Sequence, residues 1–241
     1  MPGMHPLENL RVKIFADGAD AATMIELCAN PLIKGFTTNP TVMRAAGVTH
    51  YERFARRVLE GIGERPISFE IFGDEPDEME RQARTIASWP GNVYVKVPVT
   101  NTKGESTTGL LHRLTADGIK VNVTALMTLE QIASAREALG KDVPAYVSLF
   151  AGRIADAGID PVPLARQALK ILQGHANIEL VWASPRELLN VFHAESAGCH
   201  VVTLTTDLLA KLPLVGKSLQ EFSLDTVKMF HRDALAANLT L

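Results

Sequence analysis

Short apolar runs recur along the whole chain, and segments with apolar residues at helical spacing separate them. A short continuous apolar run is typical of a buried β-strand, whereas apolar residues three and four positions apart indicate an amphipathic helix. The sequence therefore predicts eight strands, at 12–17, 35–39, 67–72, 93–99, 120–126, 145–151, 178–184 and 201–206.

The segments between these runs also carry signals for the ends of helices. Thr128 and Gln131 have the spacing of a capping box. Asp160 followed by Pro161 predicts a cap with a first-turn proline, and we expect that helix to end near Gly174. Two apolar helical stripes are formed by Met79, Ala83, Ile86 and Ala87, and by Ile132, Ala135 and Leu139.

Strict alternation of strands and helices predicts parallel strands joined by right-handed crossovers. The length of 241 residues fits one large domain or two small ones, but eight strand–helix units in that length favour a closed barrel. A nucleotide-binding open sheet would carry a glycine-rich fingerprint after its first strand, and residues 15–20 read FADGAD instead. We therefore predict an α/β protein with a (βα)8 TIM barrel. It forms a single domain over 1–241, with an N-terminal extension at 1–11 and C-terminal helices at 207–241.

Composition narrows the class of protein further. The hydrophobic fraction of 46% is enough for a substantial core, and the net charge of −3 gives no electrostatic reason to expect nucleic acid or an anionic membrane. Two cysteines, Cys28 and Cys199, are too few for a disulfide framework or a zinc site. Because there is no apolar leader and no long apolar stretch, we expect a reduced, cytoplasmic protein with no membrane segment.

Polar residues occupy strand positions that a barrel core normally fills with aliphatic side chains. Seven of the predicted strands have a polar residue near the C-terminal end, in a parity compatible with facing the barrel interior. Buried polar groups need hydrogen-bond partners, and a polyhydroxylated ligand would supply them. Alternate residues of the seven strands are Phe15 and Asp17, Thr37 and Asn39, Ser68 and Glu70, Tyr94 and Lys96, Asn122 and Thr124, Ser148 and Phe150, and Trp182 and Ser184.

Lys96 is the most informative of these residues because its surroundings, VYVKVPV, are otherwise apolar. A lysine is seldom buried without a partner or a chemical task, and a desolvated amine can attack a carbonyl carbon. Asp17 and Glu70 would supply the acid–base chemistry of an aldol cleavage through a Schiff base. The alternative is structural: Lys96 forms a salt bridge with Glu70 or Asp17, and the two acids only accept hydrogen bonds.

A candidate anion site lies after the sixth and seventh strands. Arg153 follows the sixth strand, and Ser184, Pro185 and Glu187 repeat the cap pattern, which places Arg186 in the first turn of a helix. Helix N-termini and the region near strands 7 and 8 of barrels favour phosphate. Capping alone would also explain Ser184, and Arg186 alone could pair with Glu187, but both arginines converging on one phosphate is the interpretation we favour.

Together these segments resemble the transaldolase family over nearly the whole chain. The set is specific because TTNPT and VKVP occur in order and are followed by SLFAGR. The motifs are FADGAD at 15–20, GFTTNPT at 35–41, FEIFG at 69–73, VKVPVT at 95–100, VNVTAL at 121–126, SLFAGRIAD at 148–156 and WASPRE at 182–187.

The resemblance implies a role for each site residue. Lys96 would form the Schiff base with a ketose phosphate, Asp17 would be the acid–base, and Glu70 with Thr124 would position a proton-shuttling water. A dihydroxyacetone unit would pass from Lys96 to an aldose-phosphate acceptor, with no metal or organic cofactor. Asn39, Asn122 and Ser148 would bind donor hydroxyls or orient the lysine. The phosphate would be bound by Arg153, Ser184 and Arg186.

Within the family, Glu70 and Phe150 resemble transaldolases, whereas the fructose-6-phosphate aldolase branch has Gln and Tyr there. The resemblance thus favours transfer over release of free dihydroxyacetone. Pro185 and Trp182 differ from the residues that many relatives have beside the phosphate site, and they could alter the size of the acceptor. The resemblance thus also allows a specialised, longer sugar phosphate as the product. A lyase, a silent sugar-phosphate-binding paralogue and a phosphosugar isomerase or epimerase are the alternatives.

The C-terminal segment 223–241 has apolar residues in a helical pattern, which would close the barrel or reach a neighbouring subunit. We expect sugar phosphates as small-molecule partners, no nucleic acid, no membrane, and a homo-oligomer, in a pathway such as the pentose phosphate pathway. The apolar residues are Leu224, Val227, Met229 and Phe230.

Overall fold

The computed structural model describes residues 6–240 in two compact units. One unit is Arg11–Leu209, and the other combines the described residues 6–10 with residues 210–240. Residues 1–5 of the expected N-terminal extension, and residue 241, lie outside the described part of the chain.

The unit Arg11–Leu209 is a closed barrel of parallel strands in sequence order, in which the last strand pairs with the first. This confirms the predicted (βα)8 barrel and each of its eight strands, with ends that shift by a few residues. The strands are β1 (Lys13–Asp17), β2 (Ile33–Thr37), β3 (Ile67–Glu70), β4 (Val93–Pro98), β5 (Val121–Leu126), β6 (Ala145–Leu149), β7 (Ile178–Trp182) and β8 (Val201–Thr205).

Helices follow the strands in the order that the apolar stripes predict. Thr128 and Gln131 form the expected capping box, and the Asp160 side chain caps the helix that starts at Pro161. The helices are α1 (Ala21–Leu27), α2 (Pro40–Ala45), α3 (Tyr51–Gly61), α4 (Pro76–Ala87), α5 (Thr108–Ala116), α6 (Leu129–Ala138), α7 (Ala151–Asp156), α8 (Pro161–Ile171), α9 (Leu189–Ala197) and α10 (Thr206–Leu209).

A layer of large side chains fills the middle of the barrel. Phe15 and Tyr146 meet edge to face, with ring centroids 5.6 Å apart, and a Cβ on Gly35 would lie 2.6 Å from the Phe15 ring. Glycine at position 35 thus makes room for this ring. Because the strands are parallel, residues two positions later on each strand lie on top of this layer, toward the carboxyl ends. The layer consists of Phe15, Tyr94, Tyr146, Val181 and Val201.

The predicted inward orientation of Trp182 is wrong. Ser148 on β6 is in register with Val181, so Val181 is the inward residue of β7 and Trp182 points to the outside of the barrel. There its ring lies 6.2 Å from the ring of His193 on α9. Strand alternation does not extend to Ser184, because β7 ends at Trp182 and Ser184 has a left-handed backbone.

The helix after β7 also starts later than predicted. It begins at Leu189, so Arg186 precedes the helix rather than lying in its first turn. Ser184 has a left-handed backbone with φ of 57°, which is not the extended conformation of a helix cap. The Asn190 side chain instead accepts hydrogen bonds from the backbone N–H groups of Arg186 and Glu187. This removes the helix-capping explanation for Ser184.

The other unit contains short 3-10 helices at Pro6–Asn9 and Leu212–Leu214 and a long helix, α11 (Leu219–Ala236). Ser218 caps α11 by accepting from the backbone N–H of Glu221. The apolar positions predicted for this segment are exposed, including Val227 at 60% and Phe230 at 63%. No helix in the described residues is both long and apolar enough to cross a membrane.

Candidate active site

A cavity of about 430 Å³ opens at the carboxyl ends of the barrel strands, and we call it the central cavity. Ten of the eleven predicted site residues line it. They come from β1, β3, β4, β5 and β6 and from the segments that follow β2, β6 and β7. Asn122 is the exception, because it is fully buried below the cavity wall. The ten are Asp17, Asn39, Glu70, Lys96, Thr124, Ser148, Phe150, Arg153, Ser184 and Arg186.

Lys96 lies on the floor of the central cavity with only 6% of its surface exposed. Its Nζ is 3.0 Å from a carboxylate oxygen of Glu70 and donates to the backbone oxygen of Thr38 at 3.1 Å. The structural salt bridge considered above thus exists with Glu70. Burial of an ion pair costs desolvation free energy unless the geometry of the pair is good. This pair lines a cavity that Arg153 and Arg186 also line.

Asp17, at the end of β1, is held by two side-chain donors. The Thr37 hydroxyl donates to one carboxylate oxygen at 2.8 Å, and the Asn39 amide donates to the other at 3.1 Å. The Asn39 oxygen accepts from the backbone N–H of Val42 and caps α2, which fixes the amide with its NH2 group toward Asp17. Burial raises the pKa of Asp17, and the charge of Lys96 and these two hydrogen bonds oppose the shift only in part.

Thr124 and its neighbour Ala125 form an unusual end to β5. The Thr124 hydroxyl is buried and has no hydrogen-bond partner among the described residues. Ala125 has φ of 63°, which costs a non-glycine residue roughly 1–2 kcal/mol. A hydroxyl without a protein partner, in the cavity that Lys96 and Glu70 also line, is suited to bind water or ligand. Nothing in the residue pattern predicts the strained backbone next to it.

Asn122 supports the wall of the central cavity from below. Its amide NH2 donates to the Ser68 hydroxyl at 2.9 Å, and its oxygen accepts from the Ser148 hydroxyl at 2.7 Å. These bonds fix both the amide and the hydroxyl of Ser148. Asn122 therefore contacts Ser148 rather than the space where a ligand would lie.

Arg153 and Arg186 both line the central cavity. The partner of Arg186 is Asp156 of α7 and not Glu187: its Nε donates to Asp156 at 3.0 Å, and a second nitrogen contacts the other carboxylate oxygen. Arg186 holds the pKa of Asp156 below its usual range by hydrogen bonding. The pair fixes the guanidinium while the side chain still faces the cavity beside Ser184.

The residues that line the central cavity without being predicted as site residues include three threonines of β2 and β8: Thr37, Thr203 and Thr205. The Thr203 hydroxyl lies 2.6 Å from that of Thr37, inside the barrel. The same alternation that placed Asp17 inward applies to the run 201–206 and would have found both threonines of β8. Alternation also predicts the inward orientation of Thr37, for which the residue pattern indicates no role.

A family model described as transaldolase/fructose-6-phosphate aldolase matches residues 14–240. The chain belongs to this family. A "Probable transaldolase 2" of Listeria monocytogenes is 34% identical over 218 residues, which cover 89% of this chain and 95% of the relative. A "Probable transaldolase" of Streptococcus agalactiae is 33% identical and covers 89% of this chain and 97% of the relative. The resemblance drawn from the motifs is confirmed.

Solved structures similar to this member of the transaldolase/fructose-6-phosphate aldolase family share its fold. One belongs to the dihydrodipicolinate synthase family and comes from Coccidioides immitis. It has a TM-score of 0.62 and 13% identity, and the match covers 99% of this chain and 81% of that chain. A 2,3-dimethylmalate lyase has a TM-score of 0.52 and 13% identity, covering 97% and 86%. At this identity the likeness concerns the barrel alone.

Proposed function

We propose that the protein is a transaldolase that moves a dihydroxyacetone unit from a ketose phosphate to an aldose phosphate through a Schiff base on Lys96. The donor would be fructose 6-phosphate or sedoheptulose 7-phosphate. The observation that carries this proposal is the meeting of Lys96, Glu70 and Asp17 on the floor of the central cavity. The family and the names of the relatives at 33–34% identity support the same activity.

The first step is attack of the Lys96 amine on the ketone carbon of the donor. The amine must first give up a proton, and Glu70, 3.0 Å from Nζ, is placed to accept it. The carbinolamine then loses its hydroxyl as water to form the imine. A water bound to the unpartnered Thr124 hydroxyl would carry protons between Glu70 and the departing oxygen.

Asp17 is our candidate for the base in carbon–carbon cleavage. It takes the proton from the hydroxyl on C4, the C3–C4 bond breaks, and its electron pair moves into the protonated imine to give an enamine on Lys96. The aldose phosphate leaves, and the acceptor aldehyde enters. The enamine attacks the aldehyde carbon, and Asp17 returns its proton to the new hydroxyl. Water then adds to the resulting protonated imine, and the C–N bond breaks to release the product ketose phosphate and the Lys96 amine. A carboxyl with a raised pKa is suited to both halves of this exchange.

The phosphate of donor and acceptor would be bound by Arg153, Arg186 and Ser184. Guanidinium groups form charge-assisted hydrogen bonds to phosphate oxygens, often in pairs. Arg153 follows Gly152, which packs against Ser184 near Arg186. Both arginines thus lie on the β6–β7 side of the cavity that Lys96 of β4 also lines. An extended sugar phosphate with its carbonyl at the lysine would place its phosphate at this side.

Transfer is favoured over cleavage because Glu70 and Phe150 match the transaldolase branch of the resemblance, and Phe150 lines the central cavity. An apolar ring near the enamine keeps water from the carbon that would otherwise be protonated. We also propose a homo-oligomer, which the exposed apolar side chains of α11 support. We further propose a specialised, longer-chain sugar phosphate as a product and a place for the enzyme in pentose phosphate metabolism.

The test is to incubate the protein with fructose 6-phosphate, with and without erythrose 4-phosphate, and to follow all products by mass spectrometry. The proposal predicts a seven-carbon ketose phosphate that requires the acceptor and that is absent with Lys96→Ala. The Lys34→Ala variant, which alters an exposed lysine of β2, is the matched control. Free dihydroxyacetone and glyceraldehyde 3-phosphate at the same rate without acceptor would overturn transfer in favour of the lyase.

A further inference from the structure

Thr203 ends a chain of hydrogen bonds that begins at Asp17. The Thr37 hydroxyl is 2.8 Å from an oxygen of Asp17, and the Thr203 hydroxyl is 2.6 Å from that of Thr37. The register of the barrel creates this row, since β2 and β8 both pair with β1 and Asp17 lies opposite Thr37. Both threonines are almost fully buried, at 3% and 8% exposure.

The positions of the protons in this row follow from counting them. Each hydroxyl has one proton. An ionised Asp17 only accepts hydrogen bonds, so the proton of Thr37 must point to Asp17. The bond between the two threonines then needs the proton of Thr203, which makes Thr203 the donor and Thr37 the acceptor. The hydroxyl of Thr203 therefore decides whether Thr37 is held in its donating orientation.

The other donor to Asp17 needs no such help. The Asn39 amide is locked because its oxygen caps α2, at 3.0 Å from the backbone N–H of Val42. Thr37, in contrast, has a hydroxyl that rotates freely about its C–O bond. Of the two donors that hold the carboxylate, only the threonine depends on a further residue for its direction.

We propose that Thr203 is a positioning residue for the acid–base step, which orients the Thr37 hydroxyl toward Asp17 and so stabilises the ionised carboxylate. The inference rests on the acid–base role of Asp17 proposed above. When Asp17 takes up a proton, the row can reverse, with Asp17 donating to Thr37 and Thr37 donating to Thr203. A residue without a hydroxyl at position 203 supports neither direction.

Loss of the Thr203 hydroxyl should act mainly on the ionised form of Asp17, because hydrogen bonds to a charged acceptor are the stronger ones. The pKa of Asp17 should then rise further. The charged groups that share a cavity wall with Asp17 are unchanged by such a substitution. They are Glu70, Lys96, Arg153 and Arg186 in the central cavity, and Asp20 and Asp207 in the adjoining cleft beside α1 and α10.

The experiment compares Thr203→Val, which keeps the shape, with Thr203→Ser, which keeps the hydroxyl. Carbon-13 NMR of the Asp17 carboxyl gives its pKa without any turnover, and kinetics give the acid limb of kcat/KM. For the valine variant we expect a higher Asp17 pKa, an acid limb moved to higher pH and a kcat lowered about tenfold, with KM for the donor unchanged. The serine variant should stay close to wild type.

Thr115→Val is the matched control, since it removes another buried hydroxyl, one that donates to the Leu111 backbone in α5. It should leave the pKa of Asp17 unchanged. A wild-type pKa and kcat in Thr203→Val would overturn the inference, and so would a serine variant as impaired as the valine one. A wild-type protein that forms no seven-carbon product would refute the proposed function instead, and the NMR comparison would still decide the role of Thr203.

Discussion

Gly152 and Ser184 approach each other so closely that a Cβ on Gly152 would lie 1.5 Å from the Ser184 carbonyl oxygen. The contact joins the first turn of α7, which carries Arg153, to the loop that carries Arg186. Only glycine permits it. The distance between the two arginines, and so the shape of the candidate phosphate site, depends on a residue without a side chain.

Gly152→Ala should therefore push the Ser184 loop away from α7. We expect KM for fructose 6-phosphate to rise at least about tenfold and the free energy of unfolding to fall by about 1–3 kcal/mol, as for an overpacked interior. Steady-state kinetics and urea unfolding measure the two effects. Gly109→Ala in α5 is the control, because the nearest atom to its Cβ is the end of the Arg113 side chain at 3.7 Å. Equal KM values for both variants would contradict the close-packing account.

Arg153→Met and Arg186→Met should each weaken binding of phosphorylated substrates. Loss of a charge-assisted hydrogen bond costs about 1.5–3 kcal/mol, so KM for fructose 6-phosphate should rise roughly 10- to 100-fold. Because the phosphate is remote from the Schiff base, kcat/KM for unphosphorylated fructose should change little. If both substrates lose activity equally, the arginines support the fold rather than the phosphate.

The raised pKa of Asp17 predicts a pH-dependent cost to the fold. A carboxyl whose pKa is higher in the folded protein than its ordinary 3.8 contributes stability at low pH, and this is lost as the pH rises through the folded-state value. Asp17→Asn should therefore gain in free energy of unfolding relative to wild type as the pH rises above 3.8, and the gain should level off above the folded-state pKa. Urea unfolding at a series of pH values measures this difference. A difference that is constant, or that shrinks as the pH rises, would show that burial does not dominate the environment of Asp17.

The buried pair of Lys96 and Glu70 allows the structural and catalytic interpretations to be separated. Glu70→Gln alone leaves a buried cation without its partner and should lower the free energy of unfolding by about 3–5 kcal/mol. The double variant Lys96→Met with Glu70→Gln removes both charges and should recover most of the lost free energy of unfolding. It should be inactive, because it has no amine at position 96 to form the Schiff base. Recovery of stability together with activity would mean that the pair is only structural.

The sequence was sufficient for the barrel because each strand is a separate apolar run and each helix has its own stripe or cap. Residues facing the interior followed from alternation as long as the strand stayed regular, as with Asp17, Lys96 and Ser148. At the end of β7 the rule failed. The left-handed backbone of Ser184 turns its side chain into the cavity, although Trp182, two residues earlier, points outward.

Other parts of the site depend on contacts between distant segments, which a periodic pattern does not encode. Arg186 meets Asp156 across 30 residues of chain, although Glu187 is its neighbour in sequence. Asn122 has the correct parity for the cavity, yet its amide is used between Ser68 and Ser148. Gly152 was part of a recognised motif, but its contact with Ser184 is visible only in three dimensions.

The most direct test of the central claim is to trap the Schiff base. The protein is incubated with fructose 6-phosphate, reduced with sodium borohydride, and analysed by intact mass and peptide mapping. The account predicts one reduced sugar adduct per chain, on Lys96, which is retained in Lys34→Ala and lost in Lys96→Met. Absence of an adduct in the wild-type protein, or an adduct that maps to another lysine and persists in Lys96→Met, would contradict it.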